Sequence, residues 1–147
     1  MRESHVRFTK KRVSADSPID EPMSDSAKVV DLFKDMENET KEKLVAISVD
    51  AKLKIITFEV VSIGSVSAIS VRPFELLRTS VVVNASGLIL VHNHPSGDPA
   101  PSTEDEQLTK SIAKLCDEGG ITLHDHIVIG QDDYYSFSNE GQIKRGK

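Results

Sequence analysis

The chain has 147 residues, of which 38% are hydrophobic, and a formal net charge of −5 at pH 7. This length predicts one globular domain with a buried core. No apolar stretch approaches the roughly 20 residues that a membrane-spanning helix needs, and no apolar segment follows the basic N-terminus as it would in a secretory signal. Cys116 is the single cysteine, which excludes an internal disulfide or a cysteine-based zinc site and favours a reduced, cytoplasmic setting.

The charge is unevenly distributed along the chain. Residues 1–12 contain five basic residues and one acidic residue, so the rest of the chain is markedly acidic and a poor partner for nucleic acid or anionic lipid. We expect residues 1–23 to form a flexible tail and residues 24–147 to form the folded domain. A weak DNA contact through the basic tail is the alternative to a purely solvated one.

The N-terminal half of the domain predicts a helix followed by a β-hairpin. Ser24-Asp25-Ser26 offers N-cap chemistry, and an apolar stripe at helical spacing follows it: Ala27, Val30, Phe33 and Met36. Residues 44–50 and 53–61 are apolar strands separated by a short polar turn. Residues 65–71 alternate between polar and apolar side chains, which indicates another short strand.

The C-terminal half alternates helices and strands. Pro73 suits the first turn of a helix, with an apolar face predicted at Phe74, Leu77, Val81 and Val82. The fully apolar residues 88–91 predict a buried central strand, and residues 102–118 predict a helix with Leu108, Ile112, Leu115 and Cys116 on its buried face. Strands follow at residues 121–129 and 134–137. The pattern predicts an α/β domain with a mixed sheet flanked by helices.

Two histidines and an aspartate have the spacing of a metal site. His92 and His94 stand two residues apart at the end of the buried strand, so both imidazoles point to one side. Asp105 follows across a proline-rich turn that restricts the loop and so reduces the entropic cost of holding the carboxylate nearby. Two histidines and one carboxylate leave a tetrahedral position open for water, as in catalytic zinc sites.

Each part of this pattern also has an ordinary structural interpretation. Histidines at a strand end often only satisfy hydrogen bonds. Ser102-Thr103-Glu104-Asp105 has the form of a helix capping box with Asp in the place of Glu or Gln. The two interpretations are compatible, since Ser102 can cap the helix while Asp105 faces a metal ion.

At these residues the sequence resembles a known signature. His92-Asn93-His94-Pro95, six residues and then Ser102-Thr103-Glu104-Asp105 match the pattern of JAMM metalloproteases, which are built on the MPN (JAB) domain. The amino-acid sequence of residues 92–99 is similar to that of the bacterial RadC family, as are Val71-Arg72-Pro73 and residues 125–130. The resemblance implies a single MPN/JAB-like domain with cytidine deaminase-like architecture.

The resemblance also implies roles for particular residues. His92, His94 and Asp105 resemble the three ligands of a Zn²⁺ cofactor, and Ser102 resembles the serine that holds the substrate carbonyl or its tetrahedral intermediate. JAMM enzymes use an upstream glutamate as general base, and Glu42 occupies the corresponding place just before the first core strand. Glu39 and Glu59 are the competing candidates.

The implied function is zinc-dependent hydrolysis of a peptide or isopeptide bond, with a peptide or protein as substrate. The alternatives are a metal-containing binding module without catalysis and a DNA-repair-associated accessory protein. RadC proteins commonly carry an N-terminal helix-hairpin-helix module that binds DNA, and we expect this chain to be a short form without it, which weakens the DNA alternative.

Asp125 and His126 lie in the strand predicted at residues 121–129. If that strand pairs beside the one that carries His92, either side chain can hydrogen-bond a ligand histidine from behind. The alternative is that both side chains have only local partners.

Overall fold

A computed structural model describes residues 18–64 and 71–143 of the chain. Within these ranges the strands are β1 (Glu42–Val49), β2 (Ile55–Gly64), β3 (Gly87–Asn93), β4 (Thr122–Ile129) and β5 (Tyr134–Ser136). The α-helices are α1 (Ser26–Phe33), α2 (Pro73–Val82) and α3 (Thr103–Glu118), with short 3-10 helices at Pro18–Asp20 and Lys34–Asn38. The basic residues 1–12 and most of the strand predicted at residues 65–71 lie outside the described residues.

The described strands form one mixed sheet in the order β2-β1-β3-β4-β5. β1 is antiparallel to both β2 and β3, and β4 is antiparallel to β5. β3 and β4 are parallel, because the chain crosses over between them through α3. The predicted hairpin, the mixed sheet and the buried central strand are confirmed, and every residue of β3 is buried.

The sheet separates two apolar cores because neighbouring residues of a strand point to opposite faces. On one face Leu44, Leu88 and Leu90 pack with the inner residues of α2 and α3. On the other face Val45 and Ile89 belong to the cluster that includes Val29 of α1. His92 follows the parity of Leu88 and Leu90, which places its side chain on the α3 face.

The predicted apolar face of α2 was wrong apart from Leu77. Phe74, Val81 and Val82 are exposed, whereas Leu76, Leu77 and Ser80 are buried. Adjacent Leu76 and Leu77 allow two helical phases, and contact with the sheet decides between them. The Ser80 hydroxyl lies 2.8 Å from the Ser48 hydroxyl of β1, which turns this side of the helix inward.

The helix near the N-terminus also differs from its prediction. Asp25 caps α1 by accepting a hydrogen bond from the backbone N–H of Lys28, but the α-helix ends at Phe33 and a 3-10 helix continues to Asn38. Ala27 is exposed, and the buried Val29 was left out of the predicted stripe. Val30 and Phe33 nevertheless pack, partly buried, against the apolar cluster that contains Val29, so most of the stripe faces the core as predicted. Met36 is buried as part of the 3-10 turn.

No helix in the described ranges is long and apolar enough to cross a membrane.

Buried Asp125 ties α1 to the C-terminal strands. Its carboxylate accepts hydrogen bonds from the hydroxyls of Ser26 and Ser136 at 2.8 and 2.7 Å. It also accepts from the backbone N–H groups of His126 and Ser138 at 2.8 and 3.0 Å. A buried carboxylate needs such donors to offset its loss of hydration, so Asp125 has the structural role and turns away from the histidine pair.

We therefore expect Asp125→Ala to lower the free energy of unfolding by roughly 3 kcal/mol, since it leaves several buried donors without an acceptor. Urea denaturation followed by circular dichroism measures this change. Asp117→Ala on the exposed surface of α3 is the control and should change stability by less than about 0.5 kcal/mol. Equal losses in the two variants would contradict the anchoring role.

Candidate metal centre

The two histidines lie where β3 ends. β3 includes His92 and Asn93, and the backbone N–H of His94 then donates to the carbonyl of Ile129 at 2.9 Å. The β1–β3 pairing matches Leu44 with His92, so the first histidine is fixed by neighbouring strands on both sides. A ligand carried by a central strand moves less than one carried by a loop.

Asp105 is positioned by the first turn of α3. Ser102 is the N-cap, and its hydroxyl oxygen accepts from the backbone N–H of Asp105 at 3.1 Å. The Asp105 carboxylate in turn accepts from the backbone N–H of Ser102 at 2.7 Å. This reciprocal pair is the predicted capping box, and it holds the carboxylate in one rotamer.

The three side chains converge on one point. The Nε2 atoms of His92 and His94 are 3.0 Å apart, and each lies 3.2 Å from a different carboxylate oxygen of Asp105. One ligand atom from each residue falls within 4.8 Å of the others, the arrangement that a metal ion requires. The fold therefore brings together the three predicted ligands from β3 and α3.

The electrostatics of this cluster favour a cation. Burial by itself raises the pKa of the Asp105 carboxyl, but hydrogen bonds with His92 and His94 outweigh it and hold that pKa well below its usual range. The hydrogen bond with Asp105 raises the pKa of His94 despite partial burial of the ring. A positive charge is thus stabilised beside an ionised carboxylate, and a metal ion can supply it in place of a proton.

The donor set fits a divalent ion of the zinc type. His94 Nδ1 lies 2.8 Å from the carbonyl oxygen of Asp98, which can only accept, so Nδ1 carries a hydrogen and Nε2 is the atom left to bind a metal. Two imidazole nitrogens and one carboxylate suit zinc and related transition metals. His94 is partly exposed, with 14% of its side chain accessible, whereas His92 and Asp105 are almost wholly buried.

The proline-rich turn is held against the end of β4. The backbone N–H of Gln131 donates to the carbonyl of Gly97 at 2.8 Å. A side chain at Gly130 would come within 2.4 Å of that same carbonyl oxygen, so the close approach needs glycine there. This packing brings Asp98 within reach of the His94 ring.

His126 lies directly behind His92. Its Nε2 is 2.8 Å from His92 Nδ1, and its Nδ1 is 2.6 Å from the hydroxyl of Thr109 in α3. Burial lowers the pKa of His126 well below its usual value, and the nearby His92 adds to this effect, so the ring is neutral. Of the two side chains whose roles the sequence left open, His126 therefore contacts the candidate ligand His92.

Asn93 joins the histidine strand to the start of β1. Its side-chain oxygen accepts from the backbone N–H of Lys43 at 2.7 Å, and its amide donates to the carbonyl of Lys41 at 3.2 Å. These two bonds enclose Glu42 and continue the strand pairing with a side chain. The side chain of the residue between the two histidines thus fixes the backbone on both sides of the candidate general base.

A cleft opens beside the cluster, and Glu42 is among the residues that line it. The lining also includes His94, Ser102 and Asp105 together with Thr40, Lys41, Gly64, Pro95 and Ser96. The competing glutamates are engaged elsewhere: Glu39 pairs with Lys43, and Glu59 pairs with Arg78 and Thr79. Of the three glutamates, Glu42 is the one placed in this cleft.

Comparison with known proteins agrees with this geometry. A family model described as RadC-like JAB domain matches residues 23–142. The chain belongs to the RadC-like JAB domain family. Among curated relatives, a UPF0758 protein of Protochlamydia amoebophila is 44% identical over 119 residues, which are 80% of this chain and 52% of that protein. A UPF0758 protein of Aquifex aeolicus is 36% identical over 113 residues, covering 77% and 49%.

A UPF0758 protein of Thermotoga maritima is 35% identical over 125 residues, or 85% of this chain and 56% of that protein. The chain thus spans about half the length of the curated relatives it matches. The fold expected for a RadC-like JAB domain is confirmed by the mixed sheet and its helices. The His92, His94 and Asp105 cluster is a JAMM-like arrangement able to hold a metal ion.

Two contributors to this RadC-like centre were missed from the sequence. Thr109 lies on the inner face of α3 and belongs to no recognisable motif. Its spacing of four residues from Asp105 was the available signal, since it places both residues on one face of the helix. Asn93 lies between the two histidines, so strand alternation indicates only that its side chain points away from theirs. Its position opposite the start of β1 follows from the antiparallel pairing, which sequence patterns do not fix.

We expect Asn93→Ala to speed hydrogen exchange at the Lys43 amide and to lower the free energy of unfolding by about 1 kcal/mol, because a partly buried backbone donor and a partly buried backbone acceptor lose their partner. Exchange measured by NMR reports both effects. The Ile47 amide in the middle of β1 is the internal control. Its exchange rate should rise only as far as the loss of overall stability requires, whereas the rate at Lys43 should rise further. An unchanged exchange rate at Lys43 would contradict the role of Asn93 in fixing the backbone beside Glu42.

Proposed function

We propose that the chain is a zinc-dependent hydrolase of the JAMM type that cleaves an amide bond in a peptide or protein substrate. The observation that carries this proposal is the convergence of three metal-ligand side chains on a cleft that also contains Glu42 and Ser102. A site used for structure alone would have four protein ligands and no opening. Within residues 18–64 and 71–143 the cluster has three candidate ligands, and the partly exposed His94 faces the cleft.

His92, His94 and Asp105 would hold the zinc ion. When bound there, zinc lowers the pKa of a coordinated water to about 7 and polarises a substrate carbonyl. The protein contributes an ionised carboxylate and two oriented imidazoles, each with its second nitrogen already engaged.

Glu42 would act as the general base and then as the general acid. Glu42 lines the same cleft as His94 and Asp105, where its carboxylate would take a proton from the attacking water and return it to the leaving nitrogen. Proton transfer of this kind contributes roughly 100-fold to 10,000-fold to a hydrolysis rate. The Asn93 bonds to the Lys41 carbonyl and the Lys43 N–H restrict where Glu42 can lie.

Ser102 would stabilise the negative charge that develops on the carbonyl oxygen. The capping bond uses the Ser102 hydroxyl oxygen as an acceptor, which leaves its hydrogen available for donation. Because Ser102 also lines the cleft, this donor is held by the helix start before substrate arrives. A preorganised donor stabilises the transition state without further rearrangement.

We expect purified protein to contain about one zinc ion per chain and to lose it in His92→Ala and in Asp105→Ala. Each substitution leaves two protein ligands, too few to retain the ion against dilution. Elemental analysis after gel filtration measures the content. His124→Ala, which alters a histidine outside the cluster, is the matched control and should retain zinc. A metal-free wild-type protein prepared with ample zinc would contradict the ligand assignment.

We expect Glu42→Gln to retain zinc while lowering the hydrolysis rate at least about 100-fold, because the amide cannot accept the proton. Zinc-loaded protein is incubated with a complex peptide mixture, and mass spectrometry counts new amino termini. Glu39→Gln makes the same chemical change three residues away, outside the cleft lining, and should leave the rate unchanged.

The cleavage assay also distinguishes an enzyme from a binding module. Cleavage by Glu42→Gln at the wild-type rate would remove Glu42 from the mechanism. Zinc-loaded wild-type protein that cleaves neither peptides nor isopeptide-linked proteins would favour a metal-containing binding module, which has no chemical need for a base.

A further inference from the structure

We propose that His126 and Thr109 are positioning residues that hold His92 in the one neutral tautomer able to bind a metal ion. This inference rests on the metal centre of the proposed function and is independent of whether that centre performs hydrolysis. The observation behind it is an unbroken line of side chains that begins at one ligand, His92, and ends on the backbone of another, Asp105.

The first link is between the two histidines. For His92 to bind a metal through Nε2, its single imidazole hydrogen must be on Nδ1. That nitrogen is 2.8 Å from His126 Nε2, which must then be the acceptor. A neutral ring that accepts at Nε2 carries its own hydrogen on Nδ1, so the state of His92 fixes the state of His126.

The second link runs from His126 to α3. His126 Nδ1 lies 2.6 Å from the Thr109 hydroxyl oxygen, which accepts that hydrogen. The Thr109 hydroxyl donates its own hydrogen to the backbone carbonyl of Asp105 at 2.7 Å. A carbonyl oxygen can only accept, so every hydrogen in the line has a defined acceptor when His92 binds metal.

The surroundings keep these groups in place. His126 is completely buried, and the ring of Phe137 stacks on it with a centroid distance of 5.0 Å and an interplanar angle of 9°. Thr109 is also buried, one helical turn after Asp105. Consecutive turns on the inner face of α3 therefore supply the third candidate ligand and the group that orients the first.

Loss of the Thr109 hydroxyl would reverse which tautomers of His126 and His92 are favoured. Without that acceptor the hydrogen on His126 Nδ1 has no partner, so the tautomer with hydrogen on Nε2 becomes favoured. His126 then donates to His92 Nδ1, and the hydrogen of His92 moves to Nε2, the atom that must bind the ion. Partners of metal-binding histidines typically contribute 10-fold to 100-fold to metal affinity.

The test compares Thr109→Val with Thr109→Ser in the full chain. Valine keeps the shape and removes the hydroxyl, whereas serine keeps the hydroxyl. Zinc affinity is measured by competition with a chromogenic chelator, and folding by circular dichroism and thermal unfolding. Ser80→Ala removes a buried hydroxyl from its bond with Ser48, which lies four positions along β1 from Leu44, the strand partner of His92. This variant controls for a general loss of stability.

We expect Thr109→Val to bind zinc about 10-fold more weakly than wild type or more, with Thr109→Ser and Ser80→Ala within twofold of wild type. In the zinc-loaded protein, NMR should show a His126 Nδ1–H resonance protected from exchange in wild type and Thr109→Ser but lost in Thr109→Val.

A Thr109→Val protein that is folded and binds zinc as wild type does would overturn the inference. Equal weakening in Ser80→Ala would also overturn it, since the effect would then follow stability alone. A wild-type protein that binds no zinc would overturn the metal centre itself. Zinc binding without hydrolysis would refute the proposed enzymatic function and leave the positioning role supported.

Discussion

The carboxylate of Asp105 accepts a hydrogen bond from the backbone N–H of Ser102 and faces the Nε2 atoms of His92 and His94. The first contact caps a helix and the second belongs to the candidate metal centre, so one side chain both caps the start of α3 and completes the cluster. A carboxylate this deeply buried is stable only with several donors or a cation close by. The start of α3 and the end of β3 are thereby fixed relative to each other.

The parallel pairing of β3 and β4 extends this arrangement behind the ligands. It aligns Leu90 with His126 and His92 with Val128, so the two histidines point to the same face of the sheet. That face is covered by α3, whose inner residues Leu108 and Ile112 pack into the core. Apolar packing of α3 thus sets the distance at which Thr109 can meet His126.

Two sets of polar groups hold the candidate metal centre, one through contacts with a side chain and the other through contacts with the backbone. On the α3 face, the His126 and Thr109 line contacts a ligand through side-chain hydrogen bonds. At the start of β1, Asn93 holds the backbone on both sides of Glu42. Asp125, although next to His126 in the sequence, points to the opposite face and joins α1 to the sheet. Because adjacent residues of a strand face opposite sides of the sheet, Asp125 has a structural role while its neighbour His126 lies at the candidate metal centre.

Much of the fold and the proximity of the three candidate ligands followed from the sequence alone, because the signals are local. An unbroken apolar run identified β3, and the Ser102 to Asp105 spacing identified the start of α3, since a capping box needs only four consecutive residues. The His-x-His spacing was sufficient to place two imidazoles on one side. These features depend on chain geometry within a few residues, and each lies as predicted.

Tertiary structure decided everything that depends on which elements meet. The buried face of α2 could not be read from adjacent Leu76 and Leu77, because contact with β1 selects the helical phase. Thr109 acquires its role only when α3 packs over β4, and Asn93 acquires its role only when β3 pairs with β1. Long-range packing brings together groups that are separated by 17 and 50 residues along the chain, and no local pattern encodes those meetings.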